Sequence, residues 1–271
     1  MFQSKALRQI LPFPLRGHRG HGLDHDPDHR HGPEMDPDPV ALDGTRDVSG
    51  YVPADKIQVM ASIYAENDRL AQATQDRLTQ SGILSVNVMG APGVGKTSTI
   101  IALTEHLPDW HHYVVEGDIE SDIDTRTLRQ LGVETLQINT HGACHLESHQ
   151  IDQVMSDFDF CGPGLMLIEN IGNLVCPAEM VIGEHVKLLI VTTTDGSDKP
   201  YKYPLAFEKA DLILINKADL LPYVDFDRAF FMAGVRALNP TAPVLEVSAR
   251  NRMGFEPVAE WIRQRADLLL P

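Results

Sequence analysis

A glycine-rich loop in the sequence has the pattern of a phosphate-binding site. Residues 90–97 read G-A-P-G-V-G-K-T, which matches G-x-x-x-x-G-K-S/T. Glycines let backbone N–H groups turn toward a phosphate, the lysine adds positive charge near the outer phosphates, and the threonine hydroxyl can ligate Mg²⁺. A turn without a ligand is the alternative, but the complete match between a predicted strand and helix favours a nucleoside triphosphate site. The residues predicted to bind the nucleotide here are Gly90, Gly93, Val94, Gly95, Lys96, Thr97 and Ser98.

A second motif indicates which base is bound. Residues 216–219 read N-K-A-D and fit N-K-x-D. The carboxylate of Asp219 can accept hydrogen bonds from N1–H and the exocyclic amine of guanine, whereas adenine offers neither donor there. Lys217 can lie along the purine plane, and Asn216 can bridge the base to the phosphate loop. Ser248 and Ala249 resemble the S-A element whose backbone supports the guanine carbonyl, so the sequence predicts GTP rather than ATP.

Acidic residues after two predicted strands could hold or orient Mg²⁺. Asp118 follows one strand, and Glu169 stands where many GTPases have the aspartate of D-x-x-G. The longer glutamate can still reach Mg²⁺ through water, because this ion keeps part of its hydration shell. Gly172 can bring a backbone N–H to the γ-phosphate, and Asn173 replaces the glutamine that orients the attacking water. Slow intrinsic hydrolysis is therefore expected, and the predicted catalytic residues are Lys96, Thr97, Asp118, Glu169 and Gly172.

A cysteine and histidine cluster is predicted near the same edge. Cys144 and His145 follow one predicted strand, and Cys176 lies four residues beyond Gly172. Two thiolates and an imidazole suit Zn²⁺ or Ni²⁺, and three ligands leave a position open for exchange or for a second subunit. The alternative is that these are small buried cysteines. Cys161 has no nearby ligand in sequence and is not predicted to bind metal.

The N-terminal segment has a different composition from the remainder. Residues 16–39 are rich in His, Asp, Gly and Pro and nearly free of large apolar side chains, so residues 1–52 are predicted to be a disordered tail. Imidazoles beside carboxylates favour weak, multi-site binding of Ni²⁺ or Zn²⁺, although a polar solubilising tail is the alternative. The predicted tail ligands are His18, His21, His25, His29 and His31.

Residues 53–271 are predicted to form one domain that positions these motifs. An amphipathic helix begins after Ala54 and ends near Gly82. Near-continuous apolar strands separated by helices then predict an α/β fold, a mostly parallel sheet flanked by helices, of the P-loop NTPase type. The predicted strands are 84–89, 113–116, 134–138, 165–169, 186–193, 212–215 and 244–247. The other predicted helices are 96–107, 122–131, 146–155, 226–238 and 255–268, and the histidines at 106, 111 and 112 are expected to be solvated.

Composition excludes several classes of protein. The chain has 271 residues, with 38 acidic and 23 basic side chains and a formal charge of −15. That charge argues against a nucleic-acid partner, which would need a basic face. The sequence has no apolar run of about 20 residues, so no membrane span is expected. Three cysteines and the lack of an export signal predict a reducing compartment, the cytoplasm.

Together these residues resemble the HypB family of GTPases, which deliver nickel during maturation of nickel–iron hydrogenases. The resemblance runs from the helix after Ala54 to the C-terminus. Its most specific stretches are E-N-I-G-N-L-V-C-P at 169–177, G-A-C-H-L at 142–146 and D-K-P-Y-K-Y-P at 198–204. The phosphate loop and N-K-x-D are shared with many GTPases and do not identify the family.

The resemblance implies a dimerising P-loop class that includes signal-recognition GTPases and nitrogenase-type ATPases. It implies that Cys144, His145 and Cys176 bind Ni²⁺ or Zn²⁺ at a subunit interface, in a homodimer that depends on nucleotide or metal. The implied partners are a HypA-like accessory protein and the hydrogenase large subunit. Some members carry an N-terminal C-x-x-C-G-C motif, but this sequence begins M-F-Q-S-K, so thiolate binding there is not expected.

Three alternatives to this function remain open from the sequence. A GTPase for another metalloenzyme, such as a urease nickel chaperone or a cobalamin-mutase chaperone, would share the phosphate loop. It would not be expected to carry the 169–177 stretch. A metal-storage protein with a vestigial nucleotide domain is the second alternative, and a regulatory GTPase without a metal function is the third.

Overall fold

The computed structural model describes residues 54–117, 127–140 and 142–271, with side chains described from residue 61 onward. The predicted tail of residues 1–52 and its five candidate histidine ligands lie outside the described residues, as does Asp118.

Among the described residues, the apolar runs form seven strands, and four of them are buried along their whole length. Their bounds are β1 Ile83–Gly90, β2 His111–Glu116, β3 Glu134–Gln137, β4 Gly164–Glu169, β5 Val186–Thr192, β6 Leu212–Asn216 and β7 Val244–Glu246. In the described part of the chain, these seven strands form one sheet in the order β3-β2-β4-β1-β5-β6-β7, and every pairing is parallel. This confirms the predicted α/β class.

Helices cover both faces of this sheet. Their bounds are α1 Ala54–Gln80, α2 Lys96–His106, α3 Ser148–Val154, α4 Cys176–Glu179, α5 Lys199–Lys202, α6 Pro204–Lys209, α7 Arg228–Leu238 and α8 Phe255–Leu269. Residues 127–130 are also helical, at the end of the predicted helix 122–131. No helix among the described residues is long and apolar enough to cross a membrane.

Two predicted helices begin two residues later than expected because polar side chains cap them. The backbone N–H of Glu147 donates to the side chain of Gln150 at 2.9 Å, so α3 starts at Ser148 instead of Leu146. Asp227 accepts the N–H of Phe230 at 2.9 Å, so α7 starts after it. Capping groups of this kind satisfy N–H groups that have no partner inside the helix.

The core lies on both faces of the sheet because successive strand residues point to opposite sides. On one face, Leu84, Val86 and Val88 of β1 pack beneath α2 and α8. On the other face, Ile83 belongs to a cluster beneath α1 and α3, and Met89 belongs to a cluster beneath α6 and α7. These layers fix the sheet between the helices, so the strand ends become a rigid platform.

The parallel arrangement brings every strand's carboxyl end to one edge. The phosphate loop follows β1, the segment 142–146 comes after β3, the turn 169–172 follows β4, and the N-K-A-D motif begins at the end of β6. This is the edge at which α/β sheets bind ligands, since the loops there converge. The candidate residues that the structure describes therefore all lie at one edge of the sheet.

Candidate functional site

The phosphate loop has the backbone geometry that its glycines allow. Gly93 and Gly95 have φ values of 74° and 89°, in the left-handed region that favours glycine. A Cβ at Gly95 would lie 2.7 Å from the Asn216 side chain, so the position also needs glycine for space. Helix α2 begins at Lys96, whose side chain is buried. Free N–H groups at the start of a helix favour an anionic ligand such as phosphate.

The N-K-A-D motif is bonded directly to this loop. Asn216 Nδ2 donates to the Val94 carbonyl at 2.8 Å, and Lys217 Nζ donates to the Gly93 carbonyl at 2.8 Å. Lys217 has a positive φ of 58°, which turns its backbone, and its carbonyl accepts from the Thr193 hydroxyl. The base motif and the phosphate loop are therefore held together by side chains more than 120 residues apart in sequence.

A cavity of about 500 Å³ opens beside these two motifs. Its walls include Gly95, Ser98, Asn216, Lys217, Asp219, Leu220, Ser248, Ala249, Arg250 and Arg252. Asp219 lies on this wall, where its carboxylate can face a base. A pocket that continues from the phosphate loop to a carboxylate is suited to a nucleotide with a hydrogen-bond-donating base edge.

The S-A element, Ser248 and Ala249, also lines this cavity, but its amide bonds within the protein. The Ala249 N–H, expected to support a guanine carbonyl, donates instead to Asn216 Oδ1 at 3.0 Å. Arg252 was not predicted to belong to the site; it has a φ of 60°, pairs with Glu105 and donates to the Ala249 carbonyl. Arg252 thereby ties the base side of the cavity to α2. No sequence pattern singled it out.

The predicted Mg²⁺ side of the site gathers hard oxygen ligands. The Thr97 hydroxyl donates to Glu169 Oε1 at 3.0 Å. Glu116 and Glu169 occupy paired positions on β2 and β4, and both side chains are buried. A hydroxyl and two carboxylates at the phosphate edge fit Mg²⁺, which binds oxygen ligands together with phosphate and water. Thr97 and Glu169 would hold the ion, which would neutralise charge on the outer phosphates.

The turn after β4 contacts the phosphate loop closely. A Cβ on Gly172 would lie 2.8 Å from the ring of Pro92, so only glycine lets these segments pack at this distance. Residue 173 forms an isolated antiparallel bridge with Gly90 at the end of β1. The turn that is predicted to sense the γ-phosphate therefore lies against the loop that is predicted to bind it.

The predicted soft-metal ligands converge. The Sγ atoms of Cys144 and Cys176 and a ring nitrogen of His145 all lie within 4.8 Å of one another. Cys144 Sγ lies 3.3 Å from His145 Nδ1. A hydrogen bond with Cys176, together with burial, raises the pKa of the Cys144 thiol. Two neighbouring thiols do not readily lose both protons, because the two thiolate charges repel each other. A divalent cation bound between them offsets that repulsion. Cys161 lies exposed and outside the cluster.

Asn173 connects the turn to the metal ligands. Its Nδ2 donates to the Cys144 carbonyl at 3.2 Å, and its Oδ1 accepts from the Val175 N–H at 2.9 Å. The amide nitrogen and the amide oxygen of Asn173 thus both bond to the segments that carry Cys144 and Cys176, rather than to a water at the phosphate. The sequence identified the position but not this role, because the bond to Cys144 spans 29 residues.

The fold and the site together define a P-loop nucleotide-binding protein with a cluster of two cysteines and a histidine at the same sheet edge. A family profile described as the CobW/HypB/UreG nucleotide-binding domain matches residues 84–246. Hydrogenase maturation factor HypB of Azotobacter chroococcum is 40% identical over 216 residues, which are 79% of this chain and 70% of that protein.

Two solved structures have the same fold. A crystal structure of HypB from Archaeoglobus fulgidus has a TM-score of 0.69 and 35% identity, and the match covers 74% of this chain and 99% of that one. HypB from Helicobacter pylori, in complex with nickel, has a TM-score of 0.70 and 30% identity, covering 76% and 98% respectively. The chain belongs to the CobW/HypB/UreG family, and within it to the HypB proteins, which confirms the resemblance.

Proposed function

We propose that this protein is a nickel-binding GTPase that hydrolyses GTP to drive nickel insertion into the large subunit of a nickel–iron hydrogenase. One observation carries the proposal: Cys144, His145 and Cys176 meet within 4.8 Å at the same sheet edge as the phosphate loop. The similarity to HypB proteins, one of them crystallised in complex with nickel, supports the same function. Nickel is the cargo of this reaction and not a resident cofactor.

The chemistry of the cluster supports nickel or zinc as the bound ion. Thiolate and imidazole ligands select late first-row metals over Mg²⁺ and Ca²⁺, which bind oxygen. Cys144 is exposed and Cys176 is half-buried, so an ion held there stays within reach of a recipient. Three protein ligands leave at least one coordination position open. A transfer site needs such a position, because the recipient's ligand must bind before the donor's ligands leave.

The cavity supports GTP as the nucleotide, with Mg²⁺ as its cofactor. Asp219 lines the wall next to Lys217 and Ser98, and a carboxylate there can accept both donors of guanine's Watson–Crick edge. Adenine would leave this carboxylate without a donor at the corresponding position, at a cost of about 1–3 kcal/mol. Asn173 is bonded to the metal segments, so the chain lacks a side chain at that position to orient water, and slow intrinsic hydrolysis follows.

The contacts of Asn173 support coupling between nucleotide and metal. GTP bound with Mg²⁺ would hold Glu169 and Gly172 in one arrangement, and residue 173 adjoins that turn and bonds to both metal segments. Hydrolysis would move the turn and change the distance between the Cys144 and Cys176 thiols. Thermodynamic linkage then requires bound metal to alter nucleotide affinity or assembly by the same factor.

The metal side also supports a homodimer that depends on nucleotide or metal. Val175 and Val181 flank α4 and are 54% and 39% exposed, which places apolar surface beside Cys176. A second copy could cover this surface and complete the metal's coordination. A HypA-like accessory protein and the hydrogenase large subunit are the further partners we propose. No nucleic acid is involved, and the cytoplasm is the proposed compartment.

The test is nickel binding with and without a GTP analogue, followed by hydrogenase maturation. We expect nickel affinity to differ between the GDP form and the GTP-analogue form, and Cys176→Ala to abolish that difference. In a strain that lacks this gene, Lys96→Ala should fail to restore hydrogenase activity. Identical nickel affinities in both forms, with unchanged assembly, would refute the coupling. Restoration by Lys96→Ala would instead indicate a storage protein.

A further inference from the structure

Beneath the metal ligands lies a chain of four polar side chains that the nucleotide site does not use. Asn170, Asn87, Glu184 and Lys187 are each hydrogen-bonded to the next, and we call them the buried polar relay. Asn87 and Asn170 are fully buried, and Glu184 and Lys187 are 8% and 9% exposed. They come from β1, the turn after β4, and the start of β5 and the loop before it. The relay therefore joins three neighbouring strand segments.

One end of the relay holds the segment that carries Cys144 and His145. Asn170 Oδ1 accepts the N–H of Leu146 at 3.1 Å, and Leu146 directly follows His145. The same oxygen accepts the N–H of Ile171 at 2.9 Å. Because one oxygen accepts both donors, the metal-bearing segment and the turn after β4 are fixed to the same atom.

The other end holds the helix that begins at Cys176. Lys187 Nζ lies 2.5 Å from the Met180 carbonyl and 3.4 Å from the carbonyls of Pro177 and Ala178. The last carbonyls of a helix have no partner inside it, so an ammonium group can bind several of them. Helix α4 has only four residues, and such a short helix has little stability of its own. Lys187 therefore fixes where Cys176 lies.

The hydrogen bonds of the relay allow one arrangement of donors. The two backbone N–H groups require Asn170 to present its oxygen to them, so its Nδ2 donates to Asn87 Oδ1 at 3.1 Å. The Nδ2 of Asn87 then faces Glu184 Oε1 at 3.4 Å, and a carboxylate can only accept. Glu184 Oε1 pairs with Lys187 Nζ at 3.2 Å, while its Oε2 accepts from the Ile182 N–H. A change at any member breaks this order.

A buried ion pair is a poor way to gain stability. Removing two charges from water costs free energy, and well-packed apolar side chains in their place are often as stable or more stable. A fully bonded polar network instead specifies one geometry. The relay ends at the two segments that carry the metal ligands, and a soft-metal site needs that geometry because metal–sulfur distances are close to 2.3 Å.

We propose that the buried polar relay positions the two halves of the Cys/His cluster so that both thiolates bind one ion. This inference rests on the proposed function, since it concerns the same metal site. Asn87, Glu184 and Lys187 do not touch the ion and act through the segments that they hold. Breaking the relay separates Cys176 from Cys144 and leaves an ion bound by one thiolate.

The test is titration of Ni²⁺ into the full chain, with nickel affinity and thiolate-to-nickel charge-transfer absorption as readouts. Asn87→Leu removes the middle of the relay with nearly the same side-chain shape. We expect about 10–100-fold weaker nickel binding, as for other groups that orient metal ligands, and about half the absorption per bound nickel. GDP affinity of the nickel-free chain should stay within about twofold, because the phosphate loop and the base motif are held together by Asn216 and Lys217 and not by the relay.

The matched control is Asn239→Leu. Asn239 is another buried asparagine, which donates to the carbonyls of Phe207 and Ala210 and accepts the N–H of Ala242, all away from the metal ligands. Asn239→Leu should lower the free energy of unfolding in urea about as much as Asn87→Leu does. It should still retain the full two-thiolate absorption with nickel. If the Asn87 variant does not fold, Lys187→Met tests the other end of the relay, where Cys176 alone should be lost from the ion.

The outcomes separate this proposal from the proposed function. Full two-thiolate absorption in a folded Asn87→Leu or Lys187→Met would overturn the positioning role and leave the nickel function standing. Equal losses of nickel affinity and thiolate absorption in Asn87→Leu and Asn239→Leu would also overturn the positioning role, since general destabilisation would explain both. If the unmodified chain shows no thiolate absorption with nickel, the metal site itself is wrong and both proposals fail.

Discussion

The nucleotide side and the metal side share one sheet edge but are built differently. On the nucleotide side, Asn216 and Lys217 bond directly to the phosphate loop, and Lys96 and Thr99 are buried beneath it. On the metal side, Cys144 is exposed, and α4 is a helix of four residues. One side is a preformed binding site, whereas the other presents its reactive atoms at the surface.

This difference agrees with what each ligand must do. A nucleotide has to be bound by groups in fixed positions so that its phosphates stay aligned for hydrolysis. A metal that is passed on has to be bound by atoms that a recipient can reach. The two sides are connected through Asn173, and disrupting each side separately shows how far each depends on the other.

The largest expected effect is that of Lys96→Ala on the nucleotide side. The buried ammonium group would stabilise negative charge on the outer phosphates. Its loss should therefore lower the rate of GTP hydrolysis by about 10²–10³-fold. Nickel affinity of the nucleotide-free chain should change less than about twofold. Phosphate release and nickel titration measure both, with Lys209→Ala as an exposed lysine control. A parallel loss of nickel binding would show that the two sides are not separable.

The converse change is Cys176→Ala on the metal side. Removing one of three ligands should weaken nickel binding by at least about 10²-fold. Even groups that only orient a metal's ligands change metal affinity by about 10–100-fold. GTP hydrolysis with Mg²⁺ but without nickel should remain within about twofold. Cys161→Ala is the matched control, because that thiol is exposed and outside the cluster. Equal nickel loss in both variants would place the binding site elsewhere.

A smaller effect is expected from Asp219→Ala, which tests how the nucleotide side recognises the base. Loss of charged hydrogen bonds worth about 1.5–3 kcal/mol should weaken GTP binding by about 10–150-fold while ATP binding stays unchanged. Competition between the two nucleotides measures this ratio. Asp225→Ala, an exposed carboxylate on the same loop, serves as the control. If GTP and ATP weaken together, Asp219 supports the loop rather than reading the base.

The smallest effect is acid destabilisation of the scaffold that both sides share. Burial lowers the pKa of His185 to about 4, and its Nδ1 accepts the Ser85 N–H at 3.0 Å. The unfolded chain takes up the proton near pH 6.5, so the contribution is complete above that pH and disappears as pH falls toward about 4. Because the ring is partly exposed, the loss should be about 1–2 kcal/mol after allowing for solvent screening.

Urea unfolding at pH 7 and pH 4.5 measures this loss, and His185→Gln should flatten the pH dependence. His149→Gln is the control, since that imidazole is half exposed. His185 joins α1 to β1, the strand that leads into the phosphate loop. Unlike the single-site changes above, acid should therefore destabilise the sheet that carries both the nucleotide side and the metal side. An unchanged slope in His185→Gln would assign the acid sensitivity to other groups.

Most of the fold could be predicted because its signals are local. A buried parallel strand is a continuous apolar run, and each predicted strand is present within about two residues of its expected ends. The short helices α4, α5 and α6 were not predicted, since four to six residues carry too little periodicity and each begins beside a proline. Their existence depends on the strand ends to which they are attached.

Which face a residue occupies was harder to predict. The histidines before and within β2 were expected to be solvated, yet His112 is half-buried, and burial lowers its pKa to about 4. It pairs in register with Leu165 of β4, so the neighbouring strand and the helix above it decide its exposure. A polar residue at a strand start carries no signal of this in its own sequence.

The sequence by itself indicated the chemistry: a loop with the phosphate-binding pattern, a carboxylate suited to the guanine edge, and two thiols and an imidazole suited to a soft metal. These depend on residue types within short stretches whose backbone is set by local geometry. Only the tertiary structure decided that Asn173 bonds across 29 residues to Cys144, and that Asn87 and Glu184 meet across 97. Such contacts arise from packing between distant strands, because hydrogen bonds between side chains require positions that only the folded sheet brings together.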